Sequence, residues 1–135
     1  MKELIKEHLK YRIDKAKRYM QIFENGLKTG ITETYPHTLY YACLYLVVAL
    51  MQTRGFQFKT HTGLKNEFLK LYVKTGKIDY EFGDFFKEIF LFRQENDYDI
   101  VNIPDESTIL EFLNKAKDFA KVIELQIDEE LKIDN

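Results

Sequence analysis

The sequence predicts an all-α fold, an antiparallel up-and-down bundle of four to five helices. Three observations carry that expectation. Apolar residues recur at three- and four-residue spacing along most of the chain, no segment reads convincingly as a strand, and the breaks between periodic segments are short and low in Gly and Pro. With 135 residues, 45% hydrophobic and 31% charged, the chain is long and apolar enough to bury a core without staples. It is read as one domain over residues 1–135.

The first helix is expected over about 2–24, where Leu4, Ile5, Leu9, Ile13, Ala16, Met20 and Phe23 make one apolar stripe. Asn25-Gly26 should close it, because glycine tolerates the left-handed conformation of a helix C-terminus. Lys2, Lys6, Lys10, Arg12, Lys15, Lys17 and Arg18 fall mostly off the stripe and read as a solvated face, with phosphate contact as the alternative. A loop over 28–35 leads to Pro36, whose missing N–H suits the first turn of a second helix over about 36–53. The centre of that helix, Leu39 to Met51, is apolar all round. A domain this small leaves little room to enclose such a helix, so one side is expected in the core and another against a second chain, as in a symmetric homodimer. The third helix, about 62–74, starts at a Thr60 or Thr62 cap, buries Leu64, Phe68, Leu71 and Tyr72, and ends at Gly76. Asp79 is the expected cap of the fourth, about 80–98. Pro104 and Asp105 announce the fifth, about 105–132, with Ile109, Phe112, Leu113, Ala116, Phe119, Ala120, Ile123 and Ile127 at helical spacing.

Composition removes several function classes. The 13-residue apolar run from Leu39 is shorter than the about 20 residues a membrane span needs. Residues 1–18 mix charges through every turn, so no leader is expected there. Cys43 is the one cysteine, which suits a reducing cytoplasm and leaves no thiolate cluster for zinc. His8, His37 and His61 have no helix-face metal spacing, so no metal and no cofactor are assigned. There is no GxGxxG or GxxxxGK[ST] loop, and Ser107 is the only serine for Ser-His-Asp chemistry. A net charge of −2 excludes a bulk electrostatic grip on nucleic acid.

The chemically unusual residue is Arg93. Phe82, Phe86, Ile89 and Phe90 form the apolar stripe of the fourth helix, with Phe85 at its flank. At about 100° per residue Arg93 falls on that same face. A guanidinium there must be paired or must look into a cavity. Asp97 is its i,i+4 partner, which gives a structural ion pair as one reading. The other is an anion site in which Arg93 holds phosphate and Tyr98 stacks or donates. Tyr98 lies about 140° round a straight helix from Arg93, so the two converge only if the helix loosens near Asn96. His61, in Lys59-Thr60-His61-Thr62-Gly63, reads either as a loop-ordering residue or as a polar neighbour of Arg93. Tyr40, Tyr41 and Tyr45 read as core or interface residues, or as a base-stacking groove. Glu95, Asp97, Asp99, Asp105 and Glu106 would repel a polyanion near Arg93 unless a partner subunit supplies basic residues.

Tyr40-Tyr41-Ala42, Ala49-Leu50, Gly55, the Lys59 to Gly63 turn, Phe68, Arg93, Asp97-Tyr98-Asp99 and Ala116-Lys117-Asp118-Phe119 stand in this order along the chain. Over about residues 5–125 this succession resembles the HEPN superfamily, and within it an uncharacterised branch with a YYA helix, a K-T-H-x-G turn and an R-x4-Y ending in DYD. The resemblance implies a bundle of four or five helices that dimerises. It also implies a place, for many members, in a toxin–antitoxin operon beside a minimal nucleotidyltransferase. Many HEPN toxins are metal-independent endoribonucleases whose motif is an arginine, four to six residues, then a histidine, at the dimer interface. The arginine maps to Arg93, and the histidine position holds Tyr98, so this chain departs from the nuclease motif at the proton-transfer residue.

The combined expectation is a cytoplasmic HEPN-type homodimer binding a nucleotide or RNA phosphate in a toxin–antitoxin or defence pair. Arg93 holds phosphate, Asp97 and Tyr98 shape the site, and His61 and Tyr41 stand beside it. The enzymatic alternative is a metal-independent ribonuclease using Arg93 with Tyr98 or a displaced His61. The structural alternative is a non-catalytic interaction module whose second helix docks another protein.

Overall fold

A computed structural model of the chain describes residues 2–30, 35–98 and 105–133; within its helices the side chains of residues 2, 5, 35, 36, 94–98 and 133 lie outside the description. Five helices follow one another: α1 (Lys2–Thr29), α2 (Tyr35–Gln52), α3 (His61–Phe68, continued by a π turn over Leu69–Val73), α4 (Tyr80–Tyr98) and α5 (Glu106–Ile133). Among the described residues there is no strand.

The pairing of side chains shows the up-and-down order. Lys15 of α1 lies over the ring of Tyr45 and Tyr19 lies against Tyr41, so rising numbers in α1 meet falling numbers in α2. Lys65 and Phe68 of α3 meet Phe90 and Phe86 of α4. Phe85 and Phe92 of α4 meet Phe119 and Phe112 of α5. Lys17–Glu124 at 3.2 Å and Lys117–Glu24 at 2.7 Å join α5 back to α1. These last are exposed pairs worth at most about 1 kcal/mol each, so apolar burial, not charge, holds the bundle closed.

Enclosure of α2 corrects the sequence-based expectation. From Leu39 to Met51 every residue is buried except Tyr41 and Tyr45, which are half-exposed. The helix packs against α1, α3, α4 and α5 of its own chain. The reason is length: α1 and α5, of 28 residues each, run about 40 Å at 1.5 Å per residue and overlap the 18-residue α2 throughout. The apolar face of α2 therefore neither requires a second chain nor offers a docking surface to one.

The helix ends follow local chemistry, with one exception. Thr60 caps α3 by accepting the Gly63 N–H at 2.9 Å. Asp105 precedes α5 and accepts from Thr108 N at 2.9 Å and Ser107 Oγ at 3.0 Å. Its bonds to Thr108 and Ser107 hold the carboxyl below the usual range. The exception is α1, which passes through Gly26 and stops at Thr29, where Gly30 takes φ +77°. Phe23 is buried and Leu27 packs on the core, so the apolar stripe continues past Asn25 and outweighs the about 1 kcal/mol that an internal glycine costs. Gly83 serves a different purpose. A Cβ there would meet both methyls of Val73 at 2.9 Å, so α4 approaches the π turn closely only because this side chain is missing. No described helix is long and apolar enough to cross a membrane.

Candidate functional site

Three helices bring one polar cluster together. α2 supplies Tyr40 and Tyr41, the capped start of α3 supplies His61, and α4 supplies Arg93. Tyr40 is fully buried, its ring edge-on to Phe90 at 5.8 Å and to Tyr41 at 5.3 Å. The Tyr40 hydroxyl lies 3.0 Å from His61 Nδ1. The Arg93 guanidinium lies across both tyrosines, 5.3 Å from the Tyr40 ring centre and 5.6 Å from that of Tyr41. Its Nη2 donates to the Tyr41 hydroxyl at 3.3 Å. Arg93, Tyr41 and His61 are half-buried, so the cluster has a deep floor at Tyr40 and an open rim.

The electrostatics follow from that layout. Burial pushes the Tyr40 phenol well above its usual value, against a smaller opposing pull from Arg93, so it keeps its proton. Burial first, and the Arg93 charge second, hold His61 below the ordinary histidine value, so its ring is neutral near pH 7. A protonated phenol then donates to Nδ1 in the tautomer that keeps its proton on Nε2. Cation–π contact with two rings fixes the guanidinium plane without cancelling its charge. The arrangement places a positive fork of donors beside a neutral imidazole, in a half-open aromatic recess.

Among the residues expected at the site, Arg93, Tyr41 and His61 are brought together. Asp97 and Tyr98 belong to the last turn of α4, but their side chains lie outside the described residues. The backbone there is α-helical through Tyr98, so the loosening near Asn96 that would swing Tyr98 toward Arg93 is not observed. His8 is exposed far along α1. Among the described residues no three His, Cys, Asp or Glu side chains gather as a metal site.

Sequence reasoning missed two parts of the site. Tyr40 was legible as an aromatic of the second helix but not as the floor that holds both His61 and Arg93. The flank of α1 was read as a solvated basic face. In the fold, Tyr19 stacks on Tyr45 at 5.6 Å and Lys15 sits 4.7 Å over the Tyr45 ring. The available signal was the Lys15/Tyr19 i,i+4 pair beside the apolar stripe.

Comparison with known proteins agrees with this architecture. The chain is 34% identical over 91 residues to a UPF0332 protein of Thermotoga maritima, covering 67% of this chain and 69% of that protein. It is 31% identical over 121 residues to "Putative toxin MJ0142" of Methanocaldococcus jannaschii, covering 84% of this chain and 82% of that protein. The family profile of the HEPN domain matches residues 9–126, a span that takes in every helix and the whole Tyr40–His61–Arg93 cluster, and the chain belongs to the HEPN domain family.

Proposed function

We propose that this HEPN protein binds a nucleotide or RNA phosphate at Arg93, as the toxin-like member of a toxin–antitoxin or defence pair with a nucleotidyltransferase. The observation that carries the reading is the half-exposed guanidinium laid across Tyr40 and Tyr41, with Nη2 tied to the Tyr41 hydroxyl. A guanidinium held in one plane binds a phosphate in two-point fashion and loses little further rotamer freedom. The name of the Methanocaldococcus jannaschii relative supports the toxin-like part of the proposal. The protein acts as a homodimer in which the Arg93 residues of both copies face a shared cleft.

The test is titration of the full chain with AMP and with a short RNA. Arg93→Ala should weaken both by about 1–3 kcal/mol, the range of a charge-assisted bond, while the helical circular-dichroism signal persists. Unchanged titrations would remove the proposal. Light scattering of the same sample should give twice the chain mass.

The position of His61 favours a second reading, metal-independent RNA cleavage. A neutral imidazole bonded to Tyr40 through Nδ1 and lying in the field of Arg93 suits a general base. In that reading His61 takes the 2′-OH proton and Arg93 stabilises the charge that develops on phosphorus. Cleavage of a mixed RNA pool in EDTA, lost in both His61→Gln and Arg93→Ala, would support it; no cleavage at high protein concentration would exclude it.

A further inference from the structure

The polar cluster is not isolated: a strip of half-buried aromatic and basic side chains leads away from it along the α1–α2 seam. Beyond Arg93 and Tyr41 come Tyr45, with its ring centre 6.1 Å from that of Tyr41, and Tyr19, stacked on Tyr45 and 6.3 Å from Tyr41. Lys15 Nζ then lies 4.7 Å over Tyr45. Arg12 stands one turn before Lys15 and seven residues before Tyr19, on the same flank of α1. Its Nε is buried with no hydrogen-bond partner among the described residues. A cation at each end and three phenol rings between them form a continuous surface. A buried stitch would close its rings away from water, yet Tyr19, Tyr41 and Tyr45 all remain half-exposed.

From this geometry we infer that the Tyr41–Tyr19–Tyr45–Lys15 strip is a base-stacking track for single-stranded nucleic acid, continuing the Arg93 phosphate site to several nucleotides. The inference rests on the phosphate-binding reading of Arg93 and names its ligand class as an oligonucleotide. The rings offer π faces that accept any base, and Lys15 with Arg12 offers charge to a second phosphate. A net charge of −2 does not oppose this, because the strip concentrates cations locally along one seam.

The experiment uses the full chain and three probes: AMP, a fluorescein-labelled ten-nucleotide RNA, and the DNA decamer of the same sequence. Binding is read by calorimetry for AMP and by anisotropy for the decamers. The track requires at least one decamer to bind tenfold or more tighter than AMP; which of the two does so identifies the sugar. Tyr45→Ala should weaken that decamer five- to tenfold, and Tyr45→Phe, which keeps the ring, should restore it. Lys15→Ala should lower the slope of log affinity against log salt by about 0.7, as for one lost phosphate contact on a single strand. A decamer that binds no tighter than AMP, or that ignores Tyr45→Ala, overturns the track while an Arg93-dependent AMP titration leaves the underlying reading intact. AMP and decamer binding that both survive Arg93→Ala sink the underlying reading itself. Loss of dimer mass in Tyr45→Ala would assign the strip to a second copy of the chain and overturn the track as well.

Discussion

Tyr40 and Tyr72 are both fully buried, and each extends its hydroxyl to a titratable side chain on another element. Tyr72, in the π turn after α3, donates to Glu130 Oε1 of α5 at 3.1 Å. Gln126 Nε2 donates to the same oxygen at 3.4 Å, and Glu130 is only 8% exposed. Tyr40 instead reaches His61, and the charged group over its ring is the half-exposed Arg93. At Tyr72 the carboxylate is surrounded by donors from its own chain and sealed. At Tyr40 the cation sits at a rim. The same residue type thus makes a stitch between helices in one place and the floor of a recess in the other, and what separates them is which side of the pair meets water.

The largest effect tests the support that lies under both regions. Phe86 stacks on Phe119 at 5.7 Å and meets Phe68 edge-on at 5.5 Å, all three fully buried. Phe86→Ala should cost about 3–5 kcal/mol in urea unfolding and weaken both regions together. Glu130→Ala should separate them. It strands the buried Tyr72 hydroxyl at about 1–3 kcal/mol of stability and leaves AMP affinity at Arg93 unchanged. Equal loss of binding and stability in that variant would show that the two regions are one cooperative unit. A smaller effect is expected of Tyr41→Phe, which keeps the ring but removes the acceptor of the Arg93 bond. AMP binding should fall by about 0.5–1.5 kcal/mol with little change in the unfolding midpoint.

The smallest effects separate the regions by pH. His61 titrates below its unfolded value of 6.5, so below that pH the unfolded chain takes up a proton that the native ring resists. Stability from this residue is full above pH 6.5 and falls as the solution is acidified toward the native pKa; His61→Gln should remove that part of the slope. Tyr72 behaves in the opposite sense. Burial, with the Glu130 charge and hydrogen bond adding to it, pushes its phenol up to about 12 from an unfolded value of 10.0. Its contribution is complete below pH 10 and is lost as pH rises toward 12, so Tyr72→Phe should flatten the alkaline limb.

Much of the fold was legible because it is set by neighbours in sequence. The apolar stripes of α1, α4 and α5, the Thr60 and Asp105 caps and the end of α3 before Gly76 depend on residues within one or two turns. The misread end of α1 shows the limit: Gly26 is a stop signal locally, and only burial of Phe23 and Leu27 against the rest of the bundle carries the helix past it. Arg93 was legible as unusual because an arginine on a phenylalanine face contradicts the pattern around it.

The sequence by itself determined the helices, most of their ends and the family, because periodicity, caps and motif order are written in one dimension. Only the tertiary structure decided that α2 is enclosed within its own chain, and that Tyr40, His61 and Arg93, from three helices and up to 53 positions apart in number, share one recess. The physical reason is that enclosure depends on how far α1 and α5 overlap α2, and a shared recess on where three helix axes cross. Neither quantity has any signature within a single turn of helix.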